Sequence, residues 1–362
     1  MNIKIHDGVS VIYRPLRNKT YEVNFLFKVS GRILTLRLNH PAFLILKMLD
    51  GTHAFKEIAE VNGISAQEVR KLMKILSQHR LVDINHQKSG KHETDGRFKN
   101  QLNFFADYET KNLSRQDMQD QLNRSKVAVI GLGGIGSWVV YGLALAGIKN
   151  FILIDPDKIS LSNLSRQALY GIADTGKFKV DVMRSRLALL DQTTDCRIIK
   201  RTVKSPANVS NFTFKADLVI NCADNPATDQ VNRWVTDACY SAGQPHILCG
   251  GYDGHLSFLG PTVIPDKSAC WYCYEKSLDA RLAAYRHLQI TESEIEGGSL
   301  GSISAITANF HVLEAVKVLT GFSKPLLRNA VAEIDFHRFQ LNLKRFRKHH
   351  SCKICNGGKN GR

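Results

Sequence analysis

Val127–Gly136 reads VAVIGLGGIG, and the fold is decided there. Val127 to Ile130 is a short, continuous apolar run rich in β-branched residues, the pattern of a parallel strand buried on both faces. Gly131, Gly133, Gly134 and Gly136 then make a G-x-G-G-x-G turn, and Ser137 to Ala146 (SWVVYGLALA) predicts a helix. Strand, glycine turn and helix together let backbone N–H groups and a helix N-terminus approach an anionic phosphate that side chains would hold at a distance. A second strand, Phe151 to Ile154, ends in Asp155. That carboxylate falls about 20 residues past the last glycine, where a nucleotide-binding βαβ unit places its ribose-binding acid. Glycine turns also serve packing, so it is the combination with the helix and Asp155 that predicts a nucleotide site.

The 362 residues suffice for one large domain and a small one, and 43% hydrophobic with 23% charged residues is ordinary for a globular chain. No apolar run reaches the roughly 18 residues of a membrane span, and the start MNIKIHDGVS has no secretory h-region. A cytoplasmic protein without a membrane partner is the expectation. The net charge of +16 favours an anionic partner such as nucleic acid, a polyphosphate or an acidic peptide. Cys196, Cys222, Cys239 and Cys249 are scattered through apolar segments and read as small buried hydrophobes in a reducing compartment.

Residues 1–88 read as a separate domain. Met1 to Arg37 alternates in the manner of short antiparallel strands, broken by Asp7-Gly8, Pro15 and Gly31. Helices follow at Pro41–Leu49, Ala54–Glu60 and Ala66–His79, the last opened by the capping-box pattern Ser65-Ala-Gln-Glu68, and Leu81–Ile84 closes as a strand. This order predicts a winged helix-turn-helix. DNA binding is one reading, but Gln67–His79 carries only Arg70, Lys71 and Lys74 as cations and no arginine or asparagine set for base edges, which argues against nucleic acid. The pattern also resembles the peptide-recognition domain of ribosomal peptide biosynthesis, in which a leader peptide adds a strand to a sheet edge. Residues 89–124 read as a polar linker followed, from Arg97, by an amphipathic arm.

Beyond Asp155 an ordered set of motifs appears. G-x-G-G-x-G is followed by Asp155-x-Asp157, Asn163-Leu-x-Arg166-Gln167, Gly176-Lys-x-Lys179 and Cys222-Ala-Asp224-Asn225. In this order they resemble the ubiquitin-activating (E1-like) superfamily of ThiF and MoeB, from about residue 97 to the C-terminus. The resemblance implies a Rossmann-like α/β adenylation domain over 125–362, with a mostly parallel sheet. It implies that a carboxylate attacks the α-phosphate of ATP, giving an acyl adenylate and pyrophosphate. A triphosphate and a pentacoordinate transition state require converging cations and a metal. Arg166, Lys179 and Asp224 match the positions that do this work: Arg166 forks onto phosphate oxygens, Lys179 bridges phosphates and Asp224 holds Mg²⁺. Asp155 would take the ribose hydroxyls, with Asp157, Asn163, Gln167 and Asn225 beside the ATP. One departure stands out: the arm arginine that such proteins lend to a partner subunit's ATP is replaced by Asn100, so that either Arg97 or Lys99 substitutes for it or the phosphate contact is altered. The resemblance also implies a homodimer.

Cys270-Trp-Tyr-Cys273 and Cys352-Lys-Ile-Cys355 are two C-x-x-C knuckles, the donor set of a closed structural Zn²⁺ site. Between Glu275 and Gly301 no cysteine is present, which argues against an enzyme thioester. The domain pair resembles the enzymes that modify ribosomal precursor peptides in microcin C7 and pantocin A biosynthesis, the length and domain order suiting the pantocin A kind. That implies activation and cyclisation of a Glu-Glu pair. The rivals are nucleotidylation of a peptide, activation of a sulfur carrier, a nucleotide-sensing DNA-binding regulator and, on fold alone, a nicotinamide dehydrogenase.

Overall fold

The computed structural model describes residues 2–356 apart from 7, 29, 62, 80, 85–95, 111, 283–297 and 299. The chain divides into two compact units, Met1–Gln116 and Asp117–Arg362.

In the first unit β1 (Asn2–Ile5) is followed by the meander β2 (Val9–Pro15), β3 (Thr20–Phe27) and β4 (Ile33–Asn39). Then come α1 (His40–Lys47), β5 (Asp50–Ala54), α2 (Phe55–Val61), α3 (Ala66–Gln78) and β6 (Val82–Ile84). Strands β2–β3–β4 make one antiparallel sheet, and β5–β1–β6 make another. Helix α3 starts where Ser65 and Glu68 exchange side-chain-to-backbone hydrogen bonds, so the capping box is formed in full. Its apolar face, Val69, Leu72, Met73 and Leu76, is buried against Val23, Phe25, Ile45 and Ile58. Helix α4 (Lys99–Ala106), carrying Lys99 and Asn100, also belongs to this unit; the unit boundary falls inside α5 (Arg115–Arg124).

The second unit opens with β7 (Lys126–Ile130), α6 (Gly134–Ala146) and β8 (Asn150–Ile154). It continues through α7 (Lys179–Leu190), β9 (Asp195–Ile199), α8 (Pro206–Phe212), β10 (Leu218–Asn221), α9 (Thr228–Ser241) and β11 (His246–Leu248). Next are β12 (Gly251–Asp253), β13 (Leu256–Leu259), β14 (Thr262–Val263) and α10 (Trp271–Leu282). The unit closes with α11 (Gly301–Thr320), β15 (Ala330–Asp335) and β16 (Gln340–Arg345).

Its main sheet runs β14-β11-β10-β7-β8-β9, parallel except at β14. The apolar runs at β7, β8 and β10 are buried on both faces, as their composition requires. The chain winds outward from β7 to β9, then returns to β10 on the other side of β7. The order therefore reverses between β7 and β10, the switch point at which such sheets bind ligands beyond the carboxyl ends of their strands. A second, antiparallel sheet, β12-β13-β15-β16, lies outside what the sequence reading anticipated. Helix α11 is held by buried polar groups as well as apolar ones: Glu314 accepts from Leu326 N, Leu327 N and Thr262 Oγ1 and pairs with Lys317 Nζ at 3.0 Å. His311, fully buried, donates Nδ1–H to Thr307 O and accepts Gly260 N–H at Nε2. Burial holds it neutral, with its pKa down to about 4. Among the described residues no helix is long and apolar enough to cross a membrane.

Candidate active site

Four loops leave the carboxyl ends of β7, β8, β10 and β11 toward one another, and each is stitched to the neighbouring strand. Gly131 N bonds Ile154 O at 2.8 Å, Asp155 N bonds Ile199 O at 3.1 Å, Cys222 N bonds Ile130 O at 2.7 Å and Cys249 N bonds Asn221 O at 2.9 Å. The loops surround a cavity of about 750 Å³, within the roughly 300–1,000 Å³ usual for small-molecule sites.

Glycine is required in the turn for two different reasons. Gly131 has φ +85°, which disfavours any side chain, and a Cβ there would meet the Cys222–Ala223 backbone at 2.8–2.9 Å. A Cβ on Gly136 would overlap the carbonyl oxygen of Gly131, so Gly136 lets the helix close onto its own turn. It stands behind the turn, whereas Gly131, Gly133 and Gly134 line the cavity. Helix α6 begins at Gly134, three residues before Ser137, because these glycines are already wound into its first turn. The first N–H groups of that turn have no partner within the helix, and Gly134 and Ile135, which carry two of them, line the cavity.

Asp155 is 4% exposed. Its Oδ2 accepts Leu132 N–H at 2.6 Å and its Oδ1 accepts Asp157 N–H at 2.8 Å, which fixes the carboxylate beside the glycine turn. Burial raises its pKa, an effect opposed by the charge of Lys179. Lys179, at the first turn of α7 and 5% exposed, reaches Asp157 Oδ2 at 3.0 Å. Arg166 donates through Nη1 to Ser162 O at 3.0 Å, and its own carbonyl accepts from Trp138 Nε1 at 3.1 Å. Gln167 lines the cavity, is 8% exposed, and has its Oε1 buried without a hydrogen-bond partner among the described residues. Asn163, Asp224 and Asn225 complete the wall; Asp224 is exposed and makes no hydrogen bond or ion pair among the described residues. Every nucleotide residue singled out in the sequence except Gly136 thus lines one cavity.

Several lining residues carry no motif. Arg201 and Thr202 follow the edge strand β9, and Tyr252, Asp253 and Phe258 come from the β12–β13 hairpin. The signal that could have found them is positional: they sit just past the carboxyl ends of β9 and β11. Cys222 and Cys249, read in the sequence as packing, also line the cavity, with their Sγ atoms 3.5 Å apart.

A second cluster lies elsewhere in this unit. Cys270, Cys273, Cys352 and Cys355 bring four Sγ atoms within 4.8 Å of one another. The separations Cys270–Cys352 and Cys273–Cys355 are 3.4 Å and Cys270–Cys273 is 4.0 Å, close to the ~3.8 Å between sulfurs on a tetrahedral Zn²⁺ with 2.3 Å bonds. His349 N–H donates to Cys273 Sγ at 3.2 Å, a bond that favours the thiolate. The donor set fits zinc.

The ThiF family model matches residues 98–356. The sulfur carrier protein ThiS adenylyltransferase of Escherichia coli K12 is 29% identical over 248 residues, 67% of this chain and 90% of that protein. Among solved structures, E. coli MccB with AMPCPP and MccA superposes with a TM-score of 0.74 over 98% of this chain and 100% of that one, at 21% identity. PaaA gives a TM-score of 0.66 at 23% identity over 77% of this chain and 92% of that one. At these identities the structural likeness is one of fold. The cavity at the switch point and the matching family model define an ATP-dependent adenylating enzyme of the E1-like kind. The chain belongs to the ThiF family.

Proposed function

We propose that this enzyme activates a carboxylate of a ribosomally made precursor peptide with Mg-ATP, the acyl adenylate then being consumed by dehydrative ring closure of the Glu-Glu type. The observation that carries the reading is the extent of the fold likeness. The curated adenylyltransferase covers 67% of the chain, whereas MccB, solved with MccA, covers 98% and so includes the first unit. A sulfur carrier needs no such unit. In that unit the β2–β3–β4 sheet has two outer strands whose exposed Ile12, Tyr13 and Ile33 suit an extended leader added to an edge. The charge of +16 suits an acidic peptide core.

In the cavity Asp155 takes the ribose hydroxyls, which sets the α-phosphate over Gly133 and Gly134, where the N–H groups of α6 face it. Lys179 and Arg166 supply cations to the phosphates, and Gln167, Asn163, Asp157 and Asn225 orient the nucleotide. The free carboxylate of Asp224 would hold Mg²⁺, which supplies charge to the leaving pyrophosphate. The four-cysteine cluster would hold a structural Zn²⁺. A second copy of the chain is the further partner we propose. Ile306, Phe310 and Leu313, at i, i+4 and i+7 on α11, are 37–42% exposed beside Leu145 of α6, an apolar stripe suited to a homodimer. Arg97 or Lys99 would then stand in for the arginine missing at Asn100.

A second reading is favoured by the same coverage: transfer of the nucleotide itself to the peptide, as the full-length match to MccB allows. Mass spectrometry of candidate precursor peptides incubated with protein and Mg-ATP separates the two. Loss of one or more waters with AMP formed supports cyclisation, and gain of a nucleotide supports nucleotidylation. An unmodified peptide with no nucleotide turnover would sink both and favour the regulator.

A further inference from the structure

The cavity wall contributed by β12 contains a hydroxyl with no assigned role. Tyr252 is half-buried, and its Oη occupies the space a Cβ on residue 134 would fill, with Ser304 Oγ nearby. Gly134 is glycine so that this hydroxyl can lie against the first residue of α6. Ser304 Oγ donates instead to Leu300 O, and Tyr252 Oη makes no hydrogen bond among the described residues. A phenol O–H without a protein partner therefore stands beside unpartnered backbone N–H groups at a helix N-terminus, on the wall of the cavity. Asp155, bonded to Leu132 N at 2.6 Å, fixes the ribose within one residue of the turn. On the adenylation reading the phosphate nearest the ribose would then come to the glycine turn against which this hydroxyl lies.

We propose that Tyr252 is a catalytic residue of adenylation, its hydroxyl donating a hydrogen bond to a non-bridging oxygen of the α-phosphate as that oxygen gains charge. This rests on the adenylation reading of the cavity. The peptide carboxylate oxygen forms a bond to the α-phosphorus. The bond from phosphorus to the bridging oxygen breaks, and pyrophosphate leaves with the electron pair. The phenol keeps its proton throughout and acts as a donor, in the manner of an oxyanion hole. Because the negative charge on that oxygen is greatest in the pentacoordinate state, the bond acts mainly on kcat.

The test is Tyr252→Phe, which keeps the ring and its packing. Peptide-dependent AMP formation should fall about 100-fold in kcat, with KM for ATP and the Kd for AMPCPP each changed less than threefold. An unchanged kcat, or an AMPCPP affinity that falls as far as kcat, overturns the assignment. The wild type in the same assay reads the peptide proposal separately. If it is silent with every peptide, that proposal fails, and Tyr252 is judged on the slow hydrolysis of ATP to AMP and pyrophosphate, with water as acceptor. The same 100-fold ratio is required there, and a ratio near one overturns the role.

Discussion

The two ends of the cavity are built differently. At the Asp155 end Asp155 and Lys179 are buried and already bonded: Asp155 holds two backbone N–H groups, and Lys179 is paired with the exposed Asp157. At the other end Asp224 and Asp253 are exposed, and Tyr252 leaves its hydroxyl unbonded among the described residues. On the proposed function the first end would receive the same nucleotide in every cycle and is built in advance for it, whereas the second would admit a metal, an acyl group and a nucleophile. Substitutions at the first end should therefore damage both binding and fold, and those at the second only chemistry.

The strongest test is Asp224→Asn. AMP formation should fall by about three orders of magnitude, with the melting temperature within about 1 °C of wild type, since no protein group among those described bonds this carboxylate. A loss of several degrees would make Asp224 a structural residue and erase the contrast. Lys179→Met comes next: the Kd for ATP, measured by calorimetry, should rise roughly 10- to 100-fold, the worth of about 1.5–3 kcal/mol for a charged hydrogen bond. Were only kcat to change, Lys179 would belong functionally with the open end.

Asp155→Asn should cost both ways. Its amide cannot accept from Leu132 and Asp157 at once, so urea melts should show roughly 1–3 kcal/mol less stability along with weaker ATP binding. The smallest effect near neutrality concerns the frame behind the cavity. His311 titrates near 6.5 when unfolded and about 4 when folded, so the unfolded chain binds its proton first. Its contribution is whole above pH 6.5 and is lost as pH falls toward 4. His246, also fully buried and held near 4, adds a decline of the same sign, so chemical melts from pH 7 to 4.5 should show both, and His311→Gln, which can still donate and accept, should remove its own share.

Much of this was written locally in the chain. The runs at β7, β8 and β10 are apolar without interruption because both faces are covered, and Ser65–Glu68 forms the box its spacing promised. Strand β5 was not legible: Asp50–Ala54 is short and polar, and it is extended because β1 pairs with it. The antiparallel sheet was invisible for a related reason. Leu256 faces Asp335 across it, a pairing of distant segments that neither sequence announces alone. Within the cavity, residues in motifs were found, while Arg201 and Tyr252 were not, since a loop after an edge strand and a short hairpin have no signature of their own.

The cysteine knuckles also carry a timing consequence. Cys352 is synthesised 79 residues after Cys273 (352 − 273), roughly 4–16 s later at 5–20 residues per second. During that interval Cys270 and Cys273 exist as a lone dithiol, able to oxidise or to hold a metal loosely. With zinc bound as proposed, the second unit would reach its finished form only when translation delivers the other pair, and its maturation would be coupled to the redox state and metal supply met by the nascent chain.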